Sequence, residues 1–152
     1  MRLGILGTRG KTKVSVRRHL KHSGILIDER VLLDIGEKEY LDYRPKWIFI
    51  THLHSDHMAL NAGDIPQSLP VYAPEASRLL PSIHIVSKPV AVGSFTITPV
   101  PTVHSQRVKS VGYIVQKGAE RIFYSSDMIS IERKYHRLLR NLDLVITEGS
   151  FM

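Results

Sequence analysis

A chain of 152 residues is long enough to bury a core without covalent staples. Its complete lack of cysteine excludes disulfides, thiolate metal sites and cysteine nucleophiles together. Twenty-one Lys and Arg against fourteen Asp and Glu give a formal charge of +7; this suits a polyanionic partner such as RNA, DNA or a phosphodiester, although solubility alone also accounts for it.

In chain order, residues 2–7 read as a short buried strand ending in the glycine turn Gly7-Thr8-Arg9-Gly10. A basic stretch containing Lys11, Lys13, Arg17 and Arg18 follows. The apolar runs 24–28 and 30–36, split by a polar turn, form a hairpin, and residues 37–44 a short helix stopped before Pro45. Residues 46–51 have the β-branched and aromatic character of a strand buried on both faces. Further strands are expected at 69–73, 83–86, 95–98, 111–115, 121–124 and 142–146, with helices at 74–80 and 130–141. The second of these helices is amphipathic. Strands outnumber helices, which come singly between groups of strands, the pattern of packed sheets with outer helices in one domain over 1–152. No apolar run reaches the ~18 residues of a membrane helix. Without a leader pattern the chain is expected to be cytoplasmic.

Thr51-His52-Leu53-His54-Ser55-Asp56-His57 places four possible metal ligands within six positions, just past a buried strand where a turn can aim them at one point. Imidazole and carboxylate are the donors that suit zinc, manganese or iron in a site without sulfur. The bland alternative, a solvated His-rich loop, does not explain why the run follows a buried strand directly. His104 and Asp127 are weaker candidates individually, since a lone His or Asp at a strand end is commonly a cap or turn residue. Each, however, also follows a strand. The glycines with Gly10-Lys11-Thr12 invite a phosphate-loop reading, which fails because the position five before Gly10 is Ile5.

The His-rich run resembles the HxHxDH motif of the metallo-β-lactamase superfamily. Over nearly its whole length the chain is similar to the ribonuclease Z branch, with Leu6-Gly7-Thr8-Arg9-Gly10 matching the glycine turn after the first strand and residues 23–28 the second strand. Thr147-Glu148-Gly149-Ser150-Phe151 resembles that branch's His-Glu-Ala-Thr-Phe stretch. The resemblance implies an α+β fold, an αββα sandwich of two mostly antiparallel or mixed sheets with outer helices. It also implies two divalent ions, zinc first and manganese or iron as alternatives, with His52, His54 and His104 on one and Asp56, His57 and Asp127 on the other. A water between two such ions loses a proton near neutral pH. Asp56 would orient that hydroxide or accept its proton. Glu148 would orient a histidine that protonates the leaving group.

The family supplies that histidine, and a last ligand for the second ion, from beyond this region. His136, on the amphipathic helix, points away from the strand ends. The chain is therefore expected to be C-terminally truncated, lacking the family's final strands and helix. The reading is a phosphodiesterase or nuclease using a metal-bridging hydroxide, with Lys11, Lys13, Arg17 and Arg18 as phosphate contacts. The alternatives are hydrolysis at a thioester, lactone or lactam carbonyl, and a non-catalytic nucleic-acid-binding or assembly module with an incomplete metal site. Oligomeric state stays open.

Overall fold

The structure is a computed structural model, describing residues 1–11, 17 and 19–147. It divides into two compact units, Met1–Ile85 and Val86–Met152.

The first unit is a six-stranded sheet whose spatial order follows the sequence: β1 (Leu3–Gly7), β2 (Gly24–Ile27), β3 (Val31–Leu33), β4 (Trp47–Phe49), β5 (Val71–Ala73) and β6 (His84–Ile85). β1, β2 and β3 pair antiparallel, and β3 through β6 pair parallel. The β2–β3 hairpin turns through Asp28 and Glu29, both at positive φ (48° and 56°), the backbone twist that a tight hairpin demands. β2 and β3 are buried throughout. That explains their unbroken apolar runs, since a strand covered on both faces has no polar side to alternate with. Leu26, Leu32, Ile48, Ile50, Val71 and Leu80 meet in one core. Each fully buried aliphatic chain there is worth about 1.5–3 kcal/mol. Tyr40 is buried in the same core, and a Cβ at Gly24 would collide with its ring. The glycine is what lets the tyrosine lie flat against β2.

The second unit is a five-stranded sheet of β7 (Val90–Val92), β8 (Phe95–Thr102), β9 (Ser110–Lys117), β10 (Glu120–Ser126) and β11 (Leu144–Thr147), arranged β11-β10-β9-β8-β7. All pairs are antiparallel except β10 with β11. Val100, Ile114 and Phe123 form its core, against which Ile131, Tyr135, Leu139 and Leu142 pack.

The helices among the described residues are short 3₁₀ segments, Lys38–Tyr43, Ala62–Asp64 and Arg133–Leu139. The amphipathic helix expected over 130–141 is therefore tighter and shorter; Ile131, Tyr135, Leu139 and Leu142 of its apolar stripe pack on the core, while Leu138 is exposed. The helix expected at 74–80 is absent, the segment being irregular. Leu80 is buried but Leu79 is 60% exposed, so too little of that segment is anchored to offset helix nucleation. No helix among the described residues is long and apolar enough to cross a membrane.

Candidate metal centre

β4 ends at Phe49, and the backbone N–H of Ile50 still donates to Tyr72 O at 2.8 Å. The sheet thus holds the chain up to the residue before Thr51. From there residues 51–57 leave the sheet and turn tightly, with the N–H groups of His57 and Met58 both donating to His54 O, at 3.0 and 2.8 Å. The turn is tied back to the end of β3, because Ile35 N–H donates to His57 O and Ala59 N–H to Ile35 O, at 2.9 and 2.8 Å. These bonds gather the side chains. The ring centroids of His52 and His54 are 4.7 Å apart and those of His52 and His57 4.2 Å. Oδ2 of Asp56 lies 3.5 Å from Nε2 of His57.

Beneath them sits Asp34, fully buried and immediately after β3, with φ at +57°. Its Oδ1 accepts from Thr51 N–H at 2.7 Å and from the Thr51 hydroxyl at 2.9 Å, and its Oδ2 lies 2.8 Å from His57 Nδ1. Burial alone would raise the Asp34 pKa. The charge and hydrogen bond of His57, the charge of His52 and the Thr51 N–H together outweigh that and hold the carboxyl below the ordinary carboxylate range.

The consequence is tautomeric. A carboxylate only accepts, so His57 in its neutral form carries its proton on Nδ1 and presents the lone pair of Nε2. Thr51 Oγ1, having given its proton to Asp34, accepts from His52 Nδ1 at 3.1 Å, which leaves Nε2 of the neutral His52 ring as an acceptor too. Both Nε2 atoms are buried, and ligand atoms of His52 and His54, and of His52 and His57, fall within 4.8 Å of each other. Oδ1 of Asp56 is buried and receives no hydrogen bond from any described residue. A buried carboxylate oxygen without a donor is costly in a metal-free interior. A divalent cation answers that cost, and the nitrogen and oxygen donor set fits one. His52, His54, Asp56 and His57 are thus brought together in one turn. Asp34 and Thr51, which set the tautomers, are the additional residues. An acidic side chain closing the apolar run of β3 was the available signal, since a charge there must be satisfied if buried.

In the second unit, Asp127 directly follows β10 and His104 follows β8 by two residues. Val103 forms a bridge with Ser130, its N–H donating to Ser130 O at 2.8 Å while Ile129 N–H donates to Val103 O at 2.6 Å. That bridge closes the segment after Asp127 onto the one before His104, and brings His104 Nε2 to 3.9 Å from Asp127 Oδ2. His136 is exposed, with Nε2 directed at Ile131 O at 3.0 Å, as a surface residue. Lys11 and Arg17 are exposed. Lys13, Arg18 and Glu148 lie outside the described residues.

Residues 39–152 match the family model described as the beta-lactamase superfamily domain. Among solved structures, the chain is similar to the metallo-beta-lactamase fold protein YhfI from Bacillus subtilis, with 19% identity, a TM-score of 0.69, and 98% of this chain and 71% of that one covered. It is similar to the short form of human tRNase Z, with 20% identity, a TM-score of 0.70 and coverages of 95% and 76%. It also resembles a diphosphatase from the PhnP family, with 19% identity, a TM-score of 0.57 and coverages of 82% and 59%. No curated protein matches the chain. The family match runs over most of the sequence and includes the whole His-rich turn: this chain belongs to the beta-lactamase superfamily and has the metallo-β-lactamase fold.

Proposed function

We propose that the chain is a metal-dependent phosphodiesterase or nuclease of the ribonuclease Z-like branch. His52, His54 and His104 would hold one divalent ion, and Asp56, His57 and Asp127 a second. The observation that carries the reading is the pair of buried histidines whose Nδ1 atoms are committed to Thr51 and Asp34, beside the donorless Oδ1 of Asp56. Such outer partners orient ligands and raise their basicity. Zinc suits this donor set, with manganese or iron as alternatives. When bound, the ions polarise a phosphoryl oxygen, offset developing negative charge and lower the pKa of water.

The chain's own residues do the rest. Asp56, fixed by the turn, orients the attacking water and accepts its proton. A phosphodiester is favoured over a carbonyl by the +7 charge and by likeness to a tRNase Z and a diphosphatase. The exposed Lys11 and Arg17 supply phosphate contacts, which give affinity without sequence preference.

Turnover of bis(p-nitrophenyl) phosphate with added Zn²⁺ or Mn²⁺, reduced to background by His54→Ala, is the expected result. Failure on that substrate with cleavage of a thioester or lactone would move the assignment to carbonyl chemistry. Salt-sensitive RNA binding, at most one ion per chain and no turnover would make it a binding module.

A further inference from the structure

β1 is the outer strand of the first sheet, with β2 on one side and no described strand on the other. An open edge offers unpaired N–H and C=O groups to any second strand, and proteins blunt such edges with charged residues, proline or very short strands. β1 reads Leu-Gly-Ile-Leu-Gly, five residues without charge or proline. The irregularity in its pairing comes after Ile5, so Leu3, Gly4 and Ile5 keep a regular register. Ile5 is 63% exposed.

The ladder fixes which groups point outward. Asp28 N–H donates to Arg2 O at 2.9 Å, and successive residues of a strand turn their amides to opposite sides. Gly4 therefore addresses β2, while Leu3 and Ile5 address the open side. Gly4 supplies a second observation, because glycine inside a strand costs chain entropy and packs nothing. At Gly7 the fold requires it: a Cβ there would collide with His22 O and the Tyr40 hydroxyl. At Gly4 a Cβ would come no closer than 3.8 Å to Leu26 O, and φ is not positive. Beside it is a cavity of about 400 Å³, lined by Leu3, Leu6, Leu26, Tyr43 and the Arg2–Glu29 ion pair. A glycine that the single chain does not need, on an open edge beside a cavity, suits the close approach of another backbone.

We infer that β1 pairs with β1 of a second copy, antiparallel about a two-fold axis at Ile5. A two-fold contact must be complementary to itself, and this one is so in three respects. Ile5 lies opposite the partner's Ile5, so two exposed side chains cover each other and their outward amides exchange hydrogen bonds. Gly4 lies opposite the partner's Leu6 in a non-hydrogen-bonded pair, the kind with the closer Cα spacing, which brings that leucine alongside the bare Cα and the cavity. The Arg2 end of β1, where the adjoining turn carries Asp28 and Glu29, lies beside the basic segment with the partner's Arg9 and the partner's Lys11. The two six-stranded sheets become one.

Sedimentation velocity of the full chain, from low to high micromolar protein, should show a monomer–dimer equilibrium. Gly4→Val, which the single chain has room for, should weaken the dimer by about tenfold or more. Ile5→Lys, which sets like charges opposite each other at the axis, should do the same. Both should melt as the wild-type monomer does. The chain has no cysteine, so Ile5→Cys carries a single thiol. A hydrogen-bonded antiparallel pair holds its Cα atoms about 5.5 Å apart, inside the roughly 4.4–6.8 Å range of a disulfide. Ile5→Cys should therefore give a disulfide-linked dimer with oxidised glutathione. Leu3→Cys should not, since its two copies lie four residues apart along the strands, roughly 13 Å. A wild type that stays monomeric throughout, a dimer unaffected by Ile5→Lys, or cross-linking at Leu3→Cys as readily as at Ile5→Cys would overturn the inference. A dimer lost instead on Val145→Lys would place the contact at β11, the outer strand of the second sheet, and overturn it as well. If Gly4→Val fails to fold, Ile5→Lys and the two cysteine variants decide alone.

Discussion

The two units hold their candidate ligands in opposite ways. At the end of the first sheet the side chains of His57 and Asp56 are 0% and 4% exposed, and the buried carboxylate of Asp34 clamps the turn from below. In the second unit the side chains of His104 and Asp127 are 19% and 26% exposed, and His104 Nε2 lies 3.9 Å from Asp127 Oδ2, beyond a hydrogen bond. Covalent neighbours explain the difference. Residues 51–57 leave a buried strand and are tied back to β3 by backbone bonds, and the segments that carry His104 and Asp127 are joined by the Val103–Ser130 bridge. The first unit should therefore be preorganised for metal at a cost in folding energy. The more exposed pair in the second unit should shift further than the first unit's turn when an ion binds.

Removing Asp34 breaks that comparison most severely. Asp34→Ala leaves the Thr51 N–H, the Thr51 hydroxyl and His57 Nδ1 without the acceptor they share, all in the buried interior. The loss should be about 3–5 kcal/mol in urea unfolding of the metal-free protein. A loss below about 1 kcal/mol would mean that the clamp contributes little. Asp34→Asn is the sharper variant. Asn tolerates the positive φ, so the backbone survives, but its amide cannot serve Thr51 and His57 as two carboxylate oxygens do. His57 can then take the other tautomer, with its proton on Nε2. Metal affinity should fall 10–100-fold in a chelator competition, with a smaller loss of stability than for the alanine variant.

Much of this contrast was legible in the sequence, and the parts that were not share a cause. The ligand turn showed because four donor residues crowd behind a β-branched run, a composition with few structural explanations. Asp34 was hidden inside the apolar run 30–36, where it reads as one more strand residue until its partners are known, and those partners are Thr51 and His57, distant in sequence. β7 was missed although Gly93-Ser94 joins it to β8 as a two-residue hairpin turn, with Gly93 at φ 57°; three residues after Pro89 carry too little pattern. The expected helix at 74–80 had Pro74 as a start signal but only a single deeply buried leucine to anchor it.

Acid should expose the clamp in the metal-free protein. The Asp34 pKa is depressed in the fold, so its contribution to stability is fully present above the unfolded carboxylate value of about 3.9 and is lost as pH falls towards the folded value. Urea midpoints measured downward from pH 5 should therefore decline more steeply in the wild type than in Asp34→Asn. Equal slopes would show that the carboxylate is not held in its charged form by the fold.

The smallest effect on stability, and the one that tests the second half of the comparison, belongs to His104→Ala. The ring is only 19% exposed but carries no buried charge like that of Asp34, so its removal should change metal-free stability by about 1 kcal/mol, the centre of the range for single substitutions. Its metal phenotype should be large by contrast, with bound zinc per chain reduced and the melting temperature no longer raised by zinc to the wild-type extent, because an ion that binds only the folded state stabilises it in proportion to its affinity. If instead the apo protein lost stability on the scale of Asp34→Ala, His104 would be part of a prebuilt scaffold, and the asymmetry between the two units would vanish. A variant that kept full zinc binding would remove His104 from the ligand set altogether, leaving the first unit's turn to hold metal alone.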